Sequence, residues 1–219
     1  MADLAILFDM DGVIVLSNPF HKKAWKQFFK KHGFGLTEDD LKSHVYGKIN
    51  SEILKYYFSD ISSEKIREYA EEKESLYRDL ISNDMKSPDN LSRFLGLLAK
   101  NDVICAISTS APSENVDFVL NKLRIRKYFE VIVDDTQVLK GKPDPEIYLK
   151  TAGLIDYAPK KCIVIEDSIS GIRSGKNAGM KVIAITTTHT REELSEADLI
   201  IDDFSELTID KLNKLVCRK

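Results

Sequence analysis

The chain has 219 residues and a net charge of −3, from 32 lysines and arginines against 35 aspartates and glutamates. This near balance leaves no bulk field that would attract nucleic acid or an anionic membrane. No apolar run approaches the ~20 residues of a membrane span, and Asp3 and Asp9 come too early for a secretory signal. The cysteines lack metal-ligand spacing. We therefore expect a cytoplasmic, monomeric protein without membrane or nucleic-acid partners.

The first predicted strand, near residues 3–9, ends on two acids in Asp9-Met10-Asp11-Gly12. Residues i and i+2 of a strand share a face, so both carboxylates should lie together at the rim where open α/β folds bind ligands. Two acids held that close repel each other unless a cation joins them, and Mg²⁺ suits oxygen ligands. The alternative is a solvated acidic turn, because Asp and Gly are common turn residues.

Residues 17–81 lack strand patterns and are predicted to be helical. Helix starts are predicted at Asn18-Pro19, Thr37, Asn50 or Ser51, and Ser62 or Ser63. Lys73 falls on the apolar stripe of the last of these helices, where it needs a partner or a cleft, unless its stem covers the core with its head in water. We therefore expect an inserted helical domain at 17–81 within an α/β domain formed by 1–16 and 82–219.

From about residue 89 onward, predicted strands and helices mostly alternate. The later strands are predicted near 102–108, 130–134, 161–166, 181–186 and 198–202, and the helix starts at Asp89, Asp144-Pro145, Ser168 and a capping box at Thr190-Arg191-Glu192-Glu193. Gly171 and Gly175 share one face of the helix after Ser168 and allow close packing on the sheet. The alternation predicts an α/β fold with a doubly wound parallel sheet.

Several of these strands end on residues suited to phosphate chemistry. Ser108 and Thr109 close the second predicted strand, and Glu166 and Asp167 close the fourth, while Lys142 lies between them in Gly141-Lys142-Pro143. Two strands that each deliver an acid pair are hard to attribute to turns. Carboxylates, a hydroxyl and a lysine provide a nucleophile, a cation site and donors for phosphoryl oxygens.

These segments resemble, in order, the four signature motifs of the haloacid dehalogenase superfamily. Phe8-Asp9-Met10-Asp11-Gly12-Val13 resembles the first motif, Ser108 the second, Lys142 the third and Glu166-Asp167 the fourth. The resemblance implies that Asp9 is the nucleophile, Asp11 the general acid and base, and Ser108 and Lys142 the phosphate holders. Thr109 lies near enough to the second motif to touch substrate phosphate.

The resemblance also implies a Mg²⁺ site in a Rossmann-like core. Its ligands would be Asp9, the backbone carbonyl of Asp11 and Asp167, with Glu166 acting through a bound water. The dehalogenating branch of the superfamily lacks the second aspartate of the first motif and needs no metal. Because Asp11 is present, this chain is expected to handle phosphate rather than carbon–halogen bonds.

The helical insertion resembles the α-helical cap of the β-phosphoglucomutase-like branch. On that resemblance, His21, Lys48, Asn50 and Lys73 would contact substrate. The alternatives are an ordinary exposed helix histidine for His21 and, for Lys73, an aliphatic stem that covers the core with its head in water. Mutases of this branch grip the far phosphate with an arginine where this chain has Asn50, and Lys48 stands two residues earlier.

We therefore expect a Mg²⁺-dependent phosphomonoesterase that acts on a small phosphorylated metabolite, with sugar phosphates as candidates, through an aspartyl-phosphate intermediate. The alternative is a β-phosphoglucomutase, which interconverts β-glucose 1-phosphate and glucose 6-phosphate and requires a strong second phosphate clamp. A third hypothesis is a non-catalytic phosphometabolite sensor. The presence of every core motif residue counts against it.

Overall fold

The computed structural model describes residues 4–45 and 48–217. The chain forms two compact units: Met1–Leu16 with Lys86–Lys219, and Ser17–Met85. We call them the larger and the smaller unit. That they act as a catalytic core and a cap stays a prediction.

The elements follow one another in the order of the sequence patterns. The strands are β1 (Ala5–Phe8), β2 (Ile104–Ser108), β3 (Val131–Val133), β4 (Cys162–Glu166), β5 (Lys181–Ile185) and β6 (Leu199–Ile201). The helices of the smaller unit are α1 (Asn18–Lys31), α2 (Glu38–Asp40), α3 (Asn50–Tyr57) and α4 (Ser63–Ile81). Those of the larger unit are α5 (Leu91–Lys100), α6 (Ser113–Leu123), α7 (Glu146–Leu154), α8 (Ile169–Asn177) and α9 (Ile209–Cys217).

Within the described residues, the larger unit is built on one parallel sheet of six strands in the order β3-β2-β1-β4-β5-β6. β1 lies between β2 and β4, so that Phe8 is opposite Ile107 and Ile165. Because the strands are parallel, their carboxyl ends lie at one edge of the sheet. The predicted doubly wound α/β fold is confirmed, and each strand lies where its apolar run predicted it.

Helices cover both faces of this sheet. Leu7 packs in one cluster with Tyr148 of α7 and Ile172 of α8, whereas the neighbouring Phe8 ring meets the ring of Phe94 in α5 at 6.3 Å between centroids. Successive strand residues point to opposite faces, so burial on both sides makes strands continuous apolar runs. For this reason the strand positions could be predicted from the sequence.

The smaller unit packs around aromatic side chains of α1. Trp25, Phe28 and Phe29 form a buried cluster with apolar residues of α3 and α4. The predicted start signals are confirmed: Pro19 lies in the first turn of α1, and the Thr37 hydroxyl accepts from the backbone N of Asp40 in a complete capping box. The chain after α2 continues as a π-helical turn at Leu41–Val45.

Among the described residues, no helix combines the length and apolarity needed to cross a bilayer.

Two predicted helix starts were wrong. The residue before α5 is Asn90, at φ 63° and without a side-chain cap, so Asp89 does not cap that helix. Thr190 and Glu193 do exchange the two hydrogen bonds of a capping box, at 2.9 and 3.4 Å, yet only turns follow. β6 begins at Leu199, and the few intervening residues cannot repay the cost of starting a helix.

The reasoning that put Asp9 and Asp11 on one strand face was also wrong. β1 ends at Phe8, so both aspartates lie beyond it, and Asp3 lies outside the described residues. Gly12 has a φ of +77° and its N–H donates to the Val15 carbonyl at 2.7 Å. The chain therefore turns immediately after Asp11.

Candidate active site

The carboxyl edge of the sheet gathers the charged residues of three motifs. Asp9 follows β1, and Glu166 and Asp167 end and follow β4, the adjacent strand. All three are buried, and one carboxylate oxygen from each lies within 4.8 Å of the others. We call these three residues the carboxylate cluster. Adjacent parallel strands that both stop at this edge are what bring together residues more than 150 positions apart.

Lys142 ties this cluster together. Its ammonium donates to Asp9 Oδ1 at 2.6 Å, to Glu166 Oε1 at 2.6 Å and to the backbone carbonyl of Ser108 at 3.2 Å. An ammonium has three N–H donors, and these contacts use all of them. Burial alone would lower the pKa of Lys142, but the charges of Asp9 and Glu166 outweigh it and hold that pKa well above its ordinary value. Lys142 is therefore a fixed positive charge.

Glu166 is held by protein donors on both oxygens. Oε1 accepts from Lys142 and from the Tyr148 hydroxyl at 2.8 Å, and Oε2 accepts from the backbone N of Asp167 and from the Ser168 N–H and hydroxyl at 2.9–3.1 Å. Burial raises its pKa, but Lys142 and these bonds outweigh that effect and leave the pKa below its ordinary value. Gly171 makes room for this arrangement, because a Cβ there would lie 1.8 Å from Oε1.

For Asp9 and Asp167, the effect of burial outweighs the groups that lower the pKa. Burial, opposed by Lys142 and reinforced by the neighbouring carboxylates, raises the pKa of Asp9 well above its ordinary value. Burial and the charge of Glu166 raise the pKa of Asp167 to about 7. Asp167 also accepts a hydrogen bond from the Thr188 hydroxyl.

The carboxylate cluster fits a divalent cation. Three carboxylates and one ammonium leave a charge of −2 when all are ionised. Hard oxygen ligands are those that Mg²⁺ prefers, and a divalent ion would balance this charge. The donors and the electrostatics of these residues therefore suit the expected ion. Glu166, whose oxygens are already hydrogen-bonded, is the least available ligand of the three.

Asp11, Ser108 and Thr109 are not members of the carboxylate cluster. Asp11 is half-buried, and its charge contributes to the raised pKa values of Asp9 and Asp167. The buried Ser108 hydroxyl lies 2.8 Å from the Thr151 hydroxyl, while the Thr109 hydroxyl accepts from the backbone N of Ala111 at 3.1 Å. Ser108 thus reaches Lys142 through its carbonyl.

In the smaller unit, three of the four predicted substrate residues come together. The Lys73 ammonium donates to His21 Nδ1 at 2.8 Å and to Glu74 Oε1 at 2.8 Å, and the Asn50 amide donates to the same Glu74 oxygen at 2.7 Å. Lys73 therefore has partners within this unit. Lys48, by contrast, is exposed.

A family model described as haloacid dehalogenase-like hydrolase matches residues 6–185. The chain belongs to this family. β-Phosphoglucomutase of Bacillus subtilis (strain 168) is 31% identical over 218 residues, which cover 96% of this chain and 94% of that protein. A chloroplastic 5-amino-6-(5-phospho-D-ribitylamino)uracil phosphatase of Arabidopsis thaliana is 29% identical over 214 residues, and the match covers 97% of this chain but only 57% of that longer protein.

The solved structure of a HAD hydrolase, family IA, variant 3, from Entamoeba histolytica HM-1:IMSS is 34% identical to this chain. It superimposes with a TM-score of 0.90, and the match covers 98% of this chain and 100% of that one. Together these likenesses put the chain in the β-phosphoglucomutase-like branch of the haloacid dehalogenase-like hydrolases.

Sequence reasoning missed residues that hold the motif residues of this family member in place. Tyr148 is an aromatic residue on an inward helix face. Such a position predicts packing in the hydrophobic core and gives no sign that the hydroxyl donates a hydrogen bond to Glu166. Thr187 and Thr188 belong to a run of hydroxyl residues directly after a buried strand, which is the signal that drew attention to Ser108. The Thr187 hydroxyl donates to the Gly12 carbonyl at 2.6 Å.

Proposed function

We propose that this chain is a Mg²⁺-dependent phosphomonoesterase that acts on a small phosphorylated metabolite with a sugar or polyol body. The observation that carries the proposal is the buried carboxylate cluster, in which Lys142 donates to both Asp9 and Glu166 at 2.6 Å. It supports roles for these residues as a nucleophile, cation ligands and a fixed positive charge. Phosphoryl transfer needs these groups and little other covalent chemistry from the protein.

In the proposed reaction, a carboxylate oxygen of Asp9 attacks phosphorus in line, and the bond between phosphorus and the substrate oxygen breaks. Asp11 gives its proton to the departing alcohol and then takes a proton from the water that hydrolyses the aspartyl-phosphate. Its half-buried position beside the cluster suits a group that exchanges protons with substrate and solvent.

Lys142 would hold the phosphoryl oxygens by exchanging one of its present acceptors for the substrate. Ser108 is assigned the same task. Its hydroxyl would have to turn from Thr151, whose own proton goes to the Ile147 carbonyl at 2.8 Å. Thr109 is proposed only as a neighbour of the phosphate.

Asp9, Asp167 and the backbone carbonyl of Asp11 would hold Mg²⁺, with Glu166 acting through a bound water. The bound ion would supply the positive charge that keeps the carboxylates ionised and offsets the charge of the transferring group. Glu166 would also keep Lys142 in place, since it accepts one of the lysine's three hydrogen bonds.

A β-phosphoglucomutase activity is the second candidate, and the likeness to the Bacillus subtilis enzyme favours it. Such an enzyme passes the phosphoryl group to a sugar hydroxyl in place of water and must grip a second phosphate. His21, Lys48, Asn50 and Lys73 are the proposed substrate contacts of the smaller unit. Among them, only Lys48 offers an exposed charge, and it lacks the fork of an arginine.

The test of the proposal is phosphate release from a panel of sugar phosphates, hexitol phosphates, phosphoglycolate, pyrophosphate and nucleotides. We expect turnover of sugar or polyol monophosphates that stops on chelation with EDTA and returns with added Mg²⁺. Turnover that persists in EDTA, or a lack of turnover across the panel with Mg²⁺ present, would overturn it.

A second assay separates the phosphatase from the mutase. The protein is incubated with β-glucose 1-phosphate and a trace of glucose 1,6-bisphosphate, and glucose 6-phosphate is followed beside free phosphate. We expect free phosphate to accumulate. Accumulation of glucose 6-phosphate without matching phosphate release would instead establish the mutase.

A further inference from the structure

The smaller unit contains a buried ion pair. Lys73 and Glu74 are adjacent in α4, yet their residues are only 2% and 3% exposed, and the ammonium lies 2.8 Å from Glu74 Oε1. Removing two charges from water costs much of what their attraction returns, so such a pair is weak evidence of a stabilising role. Its retention in a unit with an ample aromatic core calls for another explanation.

Two further polar side chains complete this group. Lys73 donates to His21 Nδ1 at 2.8 Å, and because an ammonium only donates, Nδ1 is an acceptor there. Asn50 donates its amide to Glu74 Oε1 at 2.7 Å. The His21 ring stacks on Tyr77, with 3.8 Å between centroids. We call His21, Asn50, Lys73 and Glu74 the polar quartet.

Within the polar quartet, Glu74 balances the charge of Lys73. Burial raises the pKa of Glu74, but Lys73, His21 and the hydrogen bonds from Lys73 and Asn50 outweigh it, so the pKa lies below its ordinary value and Glu74 is a carboxylate at neutral pH. The positive charge of Lys73 is therefore balanced at hydrogen-bonding distance.

Asn50 cannot replace that charge. One of its amide hydrogens is donated to Glu74, and a neutral amide has no charged donor with which to bind a phosphate. What the quartet can present is a carbonyl acceptor on Asn50 and the third ammonium proton of Lys73, which is not used in the hydrogen bonds to His21 and Glu74. Single donors and acceptors of this kind match hydroxyl groups.

We propose that Glu74 sets the substrate class: it neutralises Lys73, so that the polar quartet binds the hydroxylated, uncharged part of a phosphomonoester and disfavours a substrate with a second phosphate. This inference rests on the proposed function. It makes Glu74 a specificity-determining residue for the part of the substrate that is not transferred. Removal of the Glu74 charge would leave Lys73 available as a phosphate ligand.

The test measures binding rather than turnover, in an Asp9→Asn background that holds both probes unreacted. Calorimetry gives the dissociation constants of glucose 6-phosphate and glucose 1,6-bisphosphate, which differ only by the second phosphate. In this background we expect the bisphosphate to bind no more tightly than the monophosphate. Adding Glu74→Gln, which keeps the shape and removes the charge, should favour the bisphosphate by about tenfold or more.

Two controls keep the result interpretable. Glu64→Gln removes an equal charge from an exposed position in the first turn of the same helix and should leave the affinity ratio unchanged. If Glu74→Gln fails to fold by circular dichroism, Glu74→Ser takes its place: it removes the same charge, leaves room for water beside Lys73, and should also favour the bisphosphate.

An unchanged ratio in whichever of these variants folds would overturn the proposal, and so would glucose 6-phosphate that does not bind at all. Failure of the phosphatase proposal would appear separately, as a lack of phosphate release by the protein with Asp9 intact.

Discussion

Replacing Gly171 with alanine would put a methyl group where the Glu166 carboxylate lies. The added Cβ would be 1.8 Å from Oε1 and 1.9 Å from Cδ, about half of an ordinary contact distance of ~3.5–4 Å. Glu166 has nowhere to retreat, because Oε1 is bonded to Lys142 and Tyr148 and Oε2 to backbone N–H groups. Either the carboxylate or helix α8 must move.

The expected loss of stability follows from opposing terms. Alanine in a helix interior is better than glycine by ~1 kcal/mol. Overpacking costs ~1–3 kcal/mol, and each hydrogen bond to a charged group that is lost costs a further ~1.5–3 kcal/mol. With one such bond broken, we expect the free energy of unfolding to fall by about 1.5–5 kcal/mol.

Gly96→Ala is the matched control, since Gly96 lies within α5 and an added Cβ there meets no atom within 4 Å. It should gain up to about 1 kcal/mol. Urea unfolding followed by circular dichroism compares both variants with the wild type. If Gly171→Ala proved as stable as Gly96→Ala, the close approach of α8 to Glu166 would be refuted.

Two more predictions concern the same cluster. Tyr148→Phe removes the hydroxyl that donates to Glu166 and should lower the free energy of unfolding by ~1.5–3 kcal/mol in urea, whereas Tyr56→Phe at an exposed ring should change little; equal effects of the two would contradict the assigned contact. In metal-free protein, burial raises the pKa values of Asp9 and Asp167, so both groups stabilise the fold at low pH, when they are protonated. The contribution of Asp167 is lost as pH rises through about 7. Added Mg²⁺ should therefore raise the melting temperature more at about pH 8 than at about pH 5.5, and an equal rise at both would count against the metal site.

The sheet could be predicted from sequence because its strands are buried on both faces. Each strand is then an uninterrupted apolar run, and the polar residue that follows marks the carboxyl edge. Local signals such as Pro19 and Thr37 also placed helix starts, since capping involves residues close in sequence. Thr190 and Glu193 show the limit of such signals: their hydrogen bonds form without a helix.

What sequence did not disclose are contacts between distant residues. Nothing in the order of residues shows that Tyr148 bonds Glu166, or that Asn50 meets Glu74 across 24 positions. Lys73 illustrates the difference clearly. Its place on an apolar stripe showed that it needs a partner, but only the folded unit identifies that partner as the neighbouring Glu74, whose charge cancels its own.

The central claim is that Asp9 becomes phosphorylated, and one labelling measurement tests it. Enzyme and Mg²⁺ are mixed with a substrate carrying a radioactive phosphoryl group and quenched in acid, and peptides are mapped for label. We expect acid-stable label on the peptide that contains Asp9, with neither label nor turnover in Asp9→Asn. Asp134→Asn, a buried aspartate after β3 that is bonded within its own turn, should retain both. Undiminished phosphate release by Asp9→Asn would contradict the account.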